Sequence, residues 1–167
     1  MKKMTESCIK DAFAGESQAH VKYSVFGEKA TKEGLPNVAR LFHAASFAER
    51  VHAARHLAVL SGVGDTAANL EAARGGENFE VEEMYSAFAA IAALQGEADA
   101  AKAIDHAAKA EVEHRALYDQ AIAAVGAGND LGADPIHVCS YCGHTWTGDI
   151  PDECPVCDTP SKLFHTF

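Results

Sequence analysis

The stretch AERVH at residues 48–52 returns as AEVEH at residues 110–114. In each copy a glutamate is followed three residues later by a histidine, within alanine-rich sequence of helical periodicity. Residues three apart lie on one face of a helix, so the carboxylate and the imidazole can reach the same point. Both motifs fall on a face that would otherwise be apolar. Two helices that each turn a Glu-x-x-His pair inward predict a helical bundle with metal ligands among its helices.

Further glutamates interrupt the apolar faces of the other helices. Glu16 lies on the core-facing side of the first helix, and Glu77 and Glu80 lie at the start of the third. The two Glu-x-x-His motifs follow Glu16 and Glu77 at nearly equal distances along the chain. This repeat indicates two copies of a helix hairpin, each supplying one glutamate and then one Glu-x-x-His motif.

The number of these carboxylates predicts a dinuclear metal site. A single Glu-x-x-His pair is common on solvated helices and would indicate little. Burying one unpaired carboxylate costs several kcal/mol, however, whereas a whole domain is stable by only ~5–15 kcal/mol. Five carboxylates with two imidazoles suit a pair of iron or manganese ions. The predicted ligands are Glu16, Glu49, His52, Glu77, Glu80, Glu111 and His114.

Helical periodicity predicts an all-α four-helix bundle in the first part of the chain. We expect helices over residues 3–33, 36–61, from about 77 onward, and 97–126. The short connections within each pair predict two antiparallel hairpins, joined by a long crossover of residues 62–76. We therefore expect a bundle over residues 1–126, a Gly- and Asp-containing linker over 127–136, and a small cysteine domain over 137–167.

Composition limits the classes of function. The chain has 167 residues, 48% of them hydrophobic, and a net charge of −10. It is too apolar for a disordered chain and too acidic for a general nucleic-acid-binding surface. We expect no membrane partner, because no uncharged apolar run reaches the ~18 residues of a membrane span. The start of the chain lacks the apolar core of an export signal, so we expect a cytoplasmic protein.

Four of the five cysteines form two Cys-x-x-Cys pairs near the end of the chain. Two such pairs place four thiolates around one ion, either zinc or a single iron. From the spacing alone zinc is favoured, as in a ribbon that only stabilises the tail. Cys8 stands alone and is expected to be an ordinary thiol. The predicted ligands are Cys139, Cys142, Cys154 and Cys157.

Two tyrosines are candidates for hydrogen bonds to the site carboxylates. Tyr23 lies two turns after Glu16 on the same face, and Tyr85 follows Glu80 by five residues. Judged from their positions alone, packing is the commoner role for either side chain.

These motifs together resemble the rubrerythrin family along nearly the whole chain. The residues that carry the resemblance are AGESQA at 14–19, AERVH at 48–52, GENFEVEEMY at 76–85, KAEVEH at 109–114 and the cysteine run 139–157. The resemblance implies a ferritin-like di-iron bundle followed by a rubredoxin-like domain, with iron rather than zinc on the four cysteines. Many members have proline where this chain has Ser86. This difference affects the geometry of the helix and changes no ligand.

The resemblance also implies an activity. Glu16, Glu49, Glu77, Glu80, Glu111, His52 and His114 would serve the two irons, with Tyr23 and Tyr85 beside them. The expected reaction is reduction of hydrogen peroxide to water in oxidative-stress defence. Electrons would come from an external donor, a rubredoxin or an NAD(P)H-dependent reductase, through the four-cysteine iron. The family forms homodimers in which the rubredoxin-like domain of one subunit lies near the di-iron site of the other.

Two alternatives remain open from the sequence. A ferroxidase-like protein would use the same bundle to oxidise and retain iron, although the four-cysteine module argues against storage alone. A non-enzymatic module would hold zinc in the tail and dock a partner.

Overall fold

The computed structural model describes residues 1–167, and the chain folds as two compact units, Met1–Gly64 and Asp65–Phe167. Long helices occupy most of both, and a small three-stranded sheet carrying the cysteine pairs closes the chain. The predicted organisation, a long helical part followed by a small four-cysteine domain, is confirmed.

The first unit is a helical hairpin of α1 (Lys3–Lys32) and α2 (Pro36–Val59). The turn follows from its residues: Gly34 adopts φ +75°, and Pro36 begins α2, where its missing N–H is not needed. The residues buried between the helices are small, which lets the two backbones approach closely. They are Gly27, Ala30, Ala39, Ser46 and Ala53.

The second unit begins with a long helical segment that packs against α5 (Ala98–Gly126). The segment consists of α3 (Thr66–Phe79), one π-helical turn (Glu80–Met84) and α4 (Tyr85–Gln95). Gly96, in the left-handed conformation at φ +72°, ends α4 and reverses the chain into α5.

The predicted start of the third helix near Glu77 was wrong, because this helix begins at Thr66 and residues 66–76 of the expected connection are helical. The side chain of Asp65 caps α3 by accepting a hydrogen bond from the Ala68 N–H at 2.9 Å. The alanines and Leu70 that follow favour helix strongly enough to outweigh the low helix propensity of the Gly75–Gly76 pair, which in the sequence alone suggests the end of a helix.

The cysteine domain is a sheet of β1 (Ile136–Cys139), β2 (Thr145–Thr147) and β3 (Phe164–Thr166), in the antiparallel order β2-β1-β3. A short 3₁₀ turn over Ser161–Leu163 precedes β3. The sheet packs against α5 within the second unit: β2 contacts the helix, and the His106 ring lies 6.1 Å from that of Tyr141. His106 is buried there.

The helical surface keeps many large apolar side chains exposed, while the buried helical residues are mostly alanine. No helix is both long enough and apolar enough to cross a membrane. The exposed apolar residues of α1, α2 and α4 include Val21, Val25, Phe26, Leu41, Phe47, Phe88, Ile91 and Leu94.

Candidate metal centres

The first unit brings three predicted ligands together. Ligand atoms of Glu16, Glu49 and His52 lie within 4.8 Å of one another, since both helices turn them to the same side of the hairpin. His52 Nδ1 is 3.0 Å from Glu49 Oε2 and 3.8 Å from Glu16 Oε1. Hydrogen bonding between the carboxyls raises the pKa of Glu16 and lowers that of Glu49. The two carboxyls are therefore close enough for one cation to serve both.

The second unit repeats this arrangement with Glu77 from α3 and with Glu111 and His114 from α5. Their ligand atoms also lie within 4.8 Å of one another. His114 Nδ1 is 2.6 Å from Glu111 Oε2 and 3.9 Å from Glu77 Oε2. This cluster is less exposed: the His114 side chain is 31% exposed, against 53% for His52.

Glu77 provides a test of whether a metal fits. Its Oε2 atom is buried and has no hydrogen-bond partner. Burial, followed by the nearby Glu111 and Glu80 carboxylates, raises the pKa of Glu77 to about 7. A buried oxygen with no donor is costly unless a cation compensates it. Carboxylate oxygens with one imidazole are donors that suit iron or manganese, so the residues fit such an ion.

Glu80 and Tyr85 lie at the π-helical turn, at the edge of this second cluster. Glu80 is not among the three closely grouped ligands, but burial and then the charge of Glu111 raise its pKa. The Tyr85 N–H donates to the Glu80 carbonyl, five residues earlier, which defines the wider turn. Burial and the charges of Glu80, Glu111 and Glu77 raise the pKa of Tyr85, so its ring lies near the carboxylates. No hydrogen bond joins its hydroxyl to them.

Tyr23 packs in the first unit without a hydrogen bond to a site carboxylate. Its ring lies 6.4 Å from that of Phe26 and 6.3 Å from that of Phe42. Within this hairpin Tyr23 therefore has the packing role that its position alone favoured.

The four cysteines form a metal-binding geometry. The Cys139 and Cys157 sulfurs lie 3.6 Å apart, as do those of Cys142 and Cys154, and all four lie within 4.8 Å of one another. A tetrahedral ion with bonds of about 2.3 Å places its sulfurs about 3.8 Å apart, so one ion fits. Burial raises the pKa of Cys139, but N–H donors from Cys142 and Tyr141 outweigh it, and the net pKa is about 7.

Two similar turns present these sulfurs. The Gly143 N–H donates to the Cys139 carbonyl at 3.0 Å, and the Asp158 N–H donates to the Cys154 carbonyl at 2.9 Å. Gly143 and Asp158 both adopt positive φ, +78° and +59°. Each turn thereby aims backbone N–H groups at the sulfurs, as a bound thiolate requires.

A side-chain contact that the sequence did not reveal connects the two kinds of site in the second unit. His114 Nε2 lies 2.8 Å from Thr145 Oγ1 in β2, and that hydroxyl donates to the Gly143 carbonyl at 3.0 Å. The resemblance implied proximity between these sites across two subunits, and here the contact lies within one chain. No motif or spacing marks Thr145 in the sequence.

The chain is similar to known proteins along nearly its whole length. A model of the rubrerythrin family matches residues 8–122. Rubrerythrin-2 of Clostridium acetobutylicum is 30% identical over 98% of this chain and 97% of its own length. Rubrerythrin of Porphyromonas gingivalis is 35% identical over 96% of this chain and 88% of its own. The solved structure of fully reduced, all-ferrous nigerythrin has a TM-score of 0.58 at 29% identity, covering 98% of this chain and 86% of that one.

The predicted cofactors are confirmed by the ligand sets and by these relatives: a carboxylate- and histidine-held di-iron centre, and one iron on four cysteines. Because the family model spans most of the chain and the relatives align over nearly all of it, the chain belongs to the rubrerythrin family.

Proposed function

We propose that this member of a family of di-iron oxidoreductases linked to oxidative stress reduces hydrogen peroxide to two waters. The observation that carries the proposal is the repeated Glu/Glu/His cluster, in which Glu77 keeps a buried oxygen without a donor. The four-cysteine site in the same chain supports a redox role, because storage of iron needs no built-in electron carrier.

Each of the two clusters would hold iron. Glu16, Glu49 and His52 would hold it in the first unit, and Glu77, Glu111 and His114 in the second, with Nδ1 of each histidine facing the carboxylates. Bound iron would supply the two electrons that peroxide takes up, together with two protons, to give two waters. The anionic carboxylates keep the ligand shell matched to ions whose charge changes. Glu80, at the edge of the cluster, provides a further carboxylate within the same environment.

Tyr85 would serve as a hydrogen-bond donor beside the second cluster. Its raised pKa keeps the phenol protonated, so that it can donate a hydrogen bond to a carboxylate or to the peroxide substrate. Tyr23 is proposed for the equivalent place beside the first cluster, although in this structure it contacts only aromatic rings.

The cysteine domain would deliver electrons to the carboxylate- and histidine-held iron, and its own iron would not bind the substrate. Four sulfurs complete a tetrahedral shell and leave no open position for peroxide, which suits transfer of single electrons. The electrons would come from an external donor, a rubredoxin or an NAD(P)H-dependent reductase.

The proposed assembly is a cytoplasmic homodimer. Large apolar side chains are exposed on three helices, and exposed apolar patches mark protein–protein contacts. Free cysteines arranged for metal rather than for disulfides suit a reducing compartment.

Anaerobic stopped-flow tests the activity. The reduced, iron-loaded protein is mixed with stoichiometric hydrogen peroxide, and the colour of the ferric four-cysteine centre is followed. We expect it to return rapidly in wild type and in Glu113→Ala, which leaves the cluster intact, but at least tenfold more slowly in Glu111→Ala. Equal rates in all three proteins would contradict the proposal. Retention of many equivalents of added iron as ferric mineral, without this response, would support the ferroxidase alternative.

A further inference from the structure

The two Glu/Glu/His clusters differ at the far side of their histidines. In both, Nδ1 faces the carboxylates. The Nε2 atom of His52 makes no hydrogen bond, and its side chain is half exposed. The Nε2 atom of His114, in contrast, lies 2.8 Å from the hydroxyl of Thr145, a residue that is only 4% exposed. The histidine of the second cluster is therefore held by a hydrogen bond on its far side, and the histidine of the first cluster is not.

The hydrogen bonds of Thr145 determine where the proton of His114 lies. A threonine hydroxyl has one proton, and Thr145 donates it to the Gly143 carbonyl, which can only accept. The contact with His114 must then use the hydroxyl oxygen as the acceptor, so Nε2 carries the hydrogen. Nδ1 then faces Glu111 at 2.6 Å and Glu77 at 3.9 Å, and a bound metal would take the place of the proton that the short contact with Glu111 requires.

Thr145 is held firmly enough to have this effect. It begins β2, where it pairs with Val138 of β1. The neighbouring His144 carbonyl accepts a hydrogen bond from the Cys139 N–H at 2.9 Å. Gly143, which accepts the Thr145 proton, directly follows Cys142. The orientation of the hydroxyl is thus set by the same turn that presents two of the four sulfurs.

We propose that Thr145 is a positioning residue that holds His114 as an Nδ1 metal ligand and connects its imidazole, through the Gly143 carbonyl, to the Cys139–Cys142 turn. This inference rests on the proposed metal-binding role of His114. A partner that orients a ligating histidine typically accounts for ten- to a hundredfold in metal affinity.

Metal titration of three variants tests the proposal. Thr145→Val keeps the shape of the side chain without the hydroxyl, Thr145→Ser restores the hydroxyl, and Thr147→Val makes the same change two residues along β2, at an exposed position. With iron retained in the four-cysteine site, we expect Thr145→Val to bind Mn(II) about tenfold more weakly at the Glu77–Glu111–His114 cluster. Thr145→Ser and Thr147→Val should bind it like wild type. Equal affinity in all four proteins would overturn the proposal.

The tautomer of His114 provides a second measurement, one that would not change if Thr145 had only a structural role. In the full chain loaded with zinc, long-range ¹H–¹⁵N NMR should show His114 protonated at Nε2, with a slowly exchanging proton, in wild type and in Thr145→Ser. This proton should exchange rapidly in Thr145→Val. The wild-type spectrum alone decides if that variant does not fold: an Nδ1-protonated or rapidly exchanging His114 overturns the proposal. Wild type that binds no metal at this cluster would instead contradict the proposed function.

Discussion

Glu77 is the residue at which metal binding and protonation compete most directly. Its buried Oε2 atom has no donor, and its pKa of about 7 lies well above the ordinary 4.5. Without metal, the folded chain therefore retains a proton near neutral pH that the unfolded chain has already lost. A metal ion at this cluster must displace that proton.

This residue predicts how stability depends on pH. A carboxyl whose pKa is raised by folding stabilises the folded state at low pH, and the contribution is lost as pH rises through about 7. In protein freed of bundle metal, the melting temperature of wild type relative to Glu77→Gln should fall between pH 5 and 8. Calorimetry across this range measures the difference, and a difference independent of pH would contradict the assignment. Adding Mn(II) at pH 8 should stabilise wild type more than the variant.

The backbone conformation of Gly143 leads to a second prediction. It adopts φ +78°, and an added Cβ would meet no atom within 4 Å, so only the backbone conformation opposes a side chain. Gly143→Ala should destabilise the cysteine domain by about 1–2 kcal/mol. Gly75→Ala, in α3 and also without a close contact, should instead stabilise by about 0.5–1 kcal/mol. Guanidinium unfolding followed through the four-cysteine colour and through helical circular dichroism separates the two effects.

At the scale of elements, α3 depends on its first turn because its interior contains the Gly75–Gly76 pair. Asp65 satisfies one backbone donor there through its contact with the Ala68 N–H. Asp65→Ala should lower the free energy of unfolding by about 1 kcal/mol, whereas Asp65→Asn should change it little, since asparagine caps equally well. Urea unfolding measures both variants, and an equal loss in each would point to the charge of Asp65 rather than to the cap.

The elements also show what sequence periodicity can and cannot predict. The bounds of α1, α2 and α5 follow closely from apolar spacing, from Gly34 and Pro36, and from the glycines near residue 126. The start of α3 was missed because two adjacent glycines read as a break. The grouping of six carboxylate and histidine side chains was predictable, because helix spacing places the two members of each Glu-x-x-His motif on one face and the other glutamates on apolar faces. Thr145 was not, since a strand residue 31 positions from His114 carries no periodic signal.

For the whole molecule, the distribution of apolar residues predicts association. The buried side chains of the helices are mostly alanine, whereas Phe26, Leu41 and Phe47 remain on the surface. Sedimentation equilibrium should give twice the chain mass of 17.7 kDa at micromolar concentration. A single species of 17.7 kDa throughout the concentration range would contradict the homodimer.

The π-helical turn has a consequence for the register of the long segment in which it lies. A turn closed by a five-residue hydrogen bond contains about one residue more than an α-helical turn, so everything after it is rotated by about 100° relative to a continuous α-helix. Both α3 and α4 nevertheless contact α5. The extra residue is what brings both stretches onto the same side, and a single-residue deletion within Glu80–Met84 would restore an unbroken helix while turning one of them away. The α4 residues that face α5 are therefore offset by about one position from those that a continuous α3 helix would place there, as if one residue had been inserted at the turn.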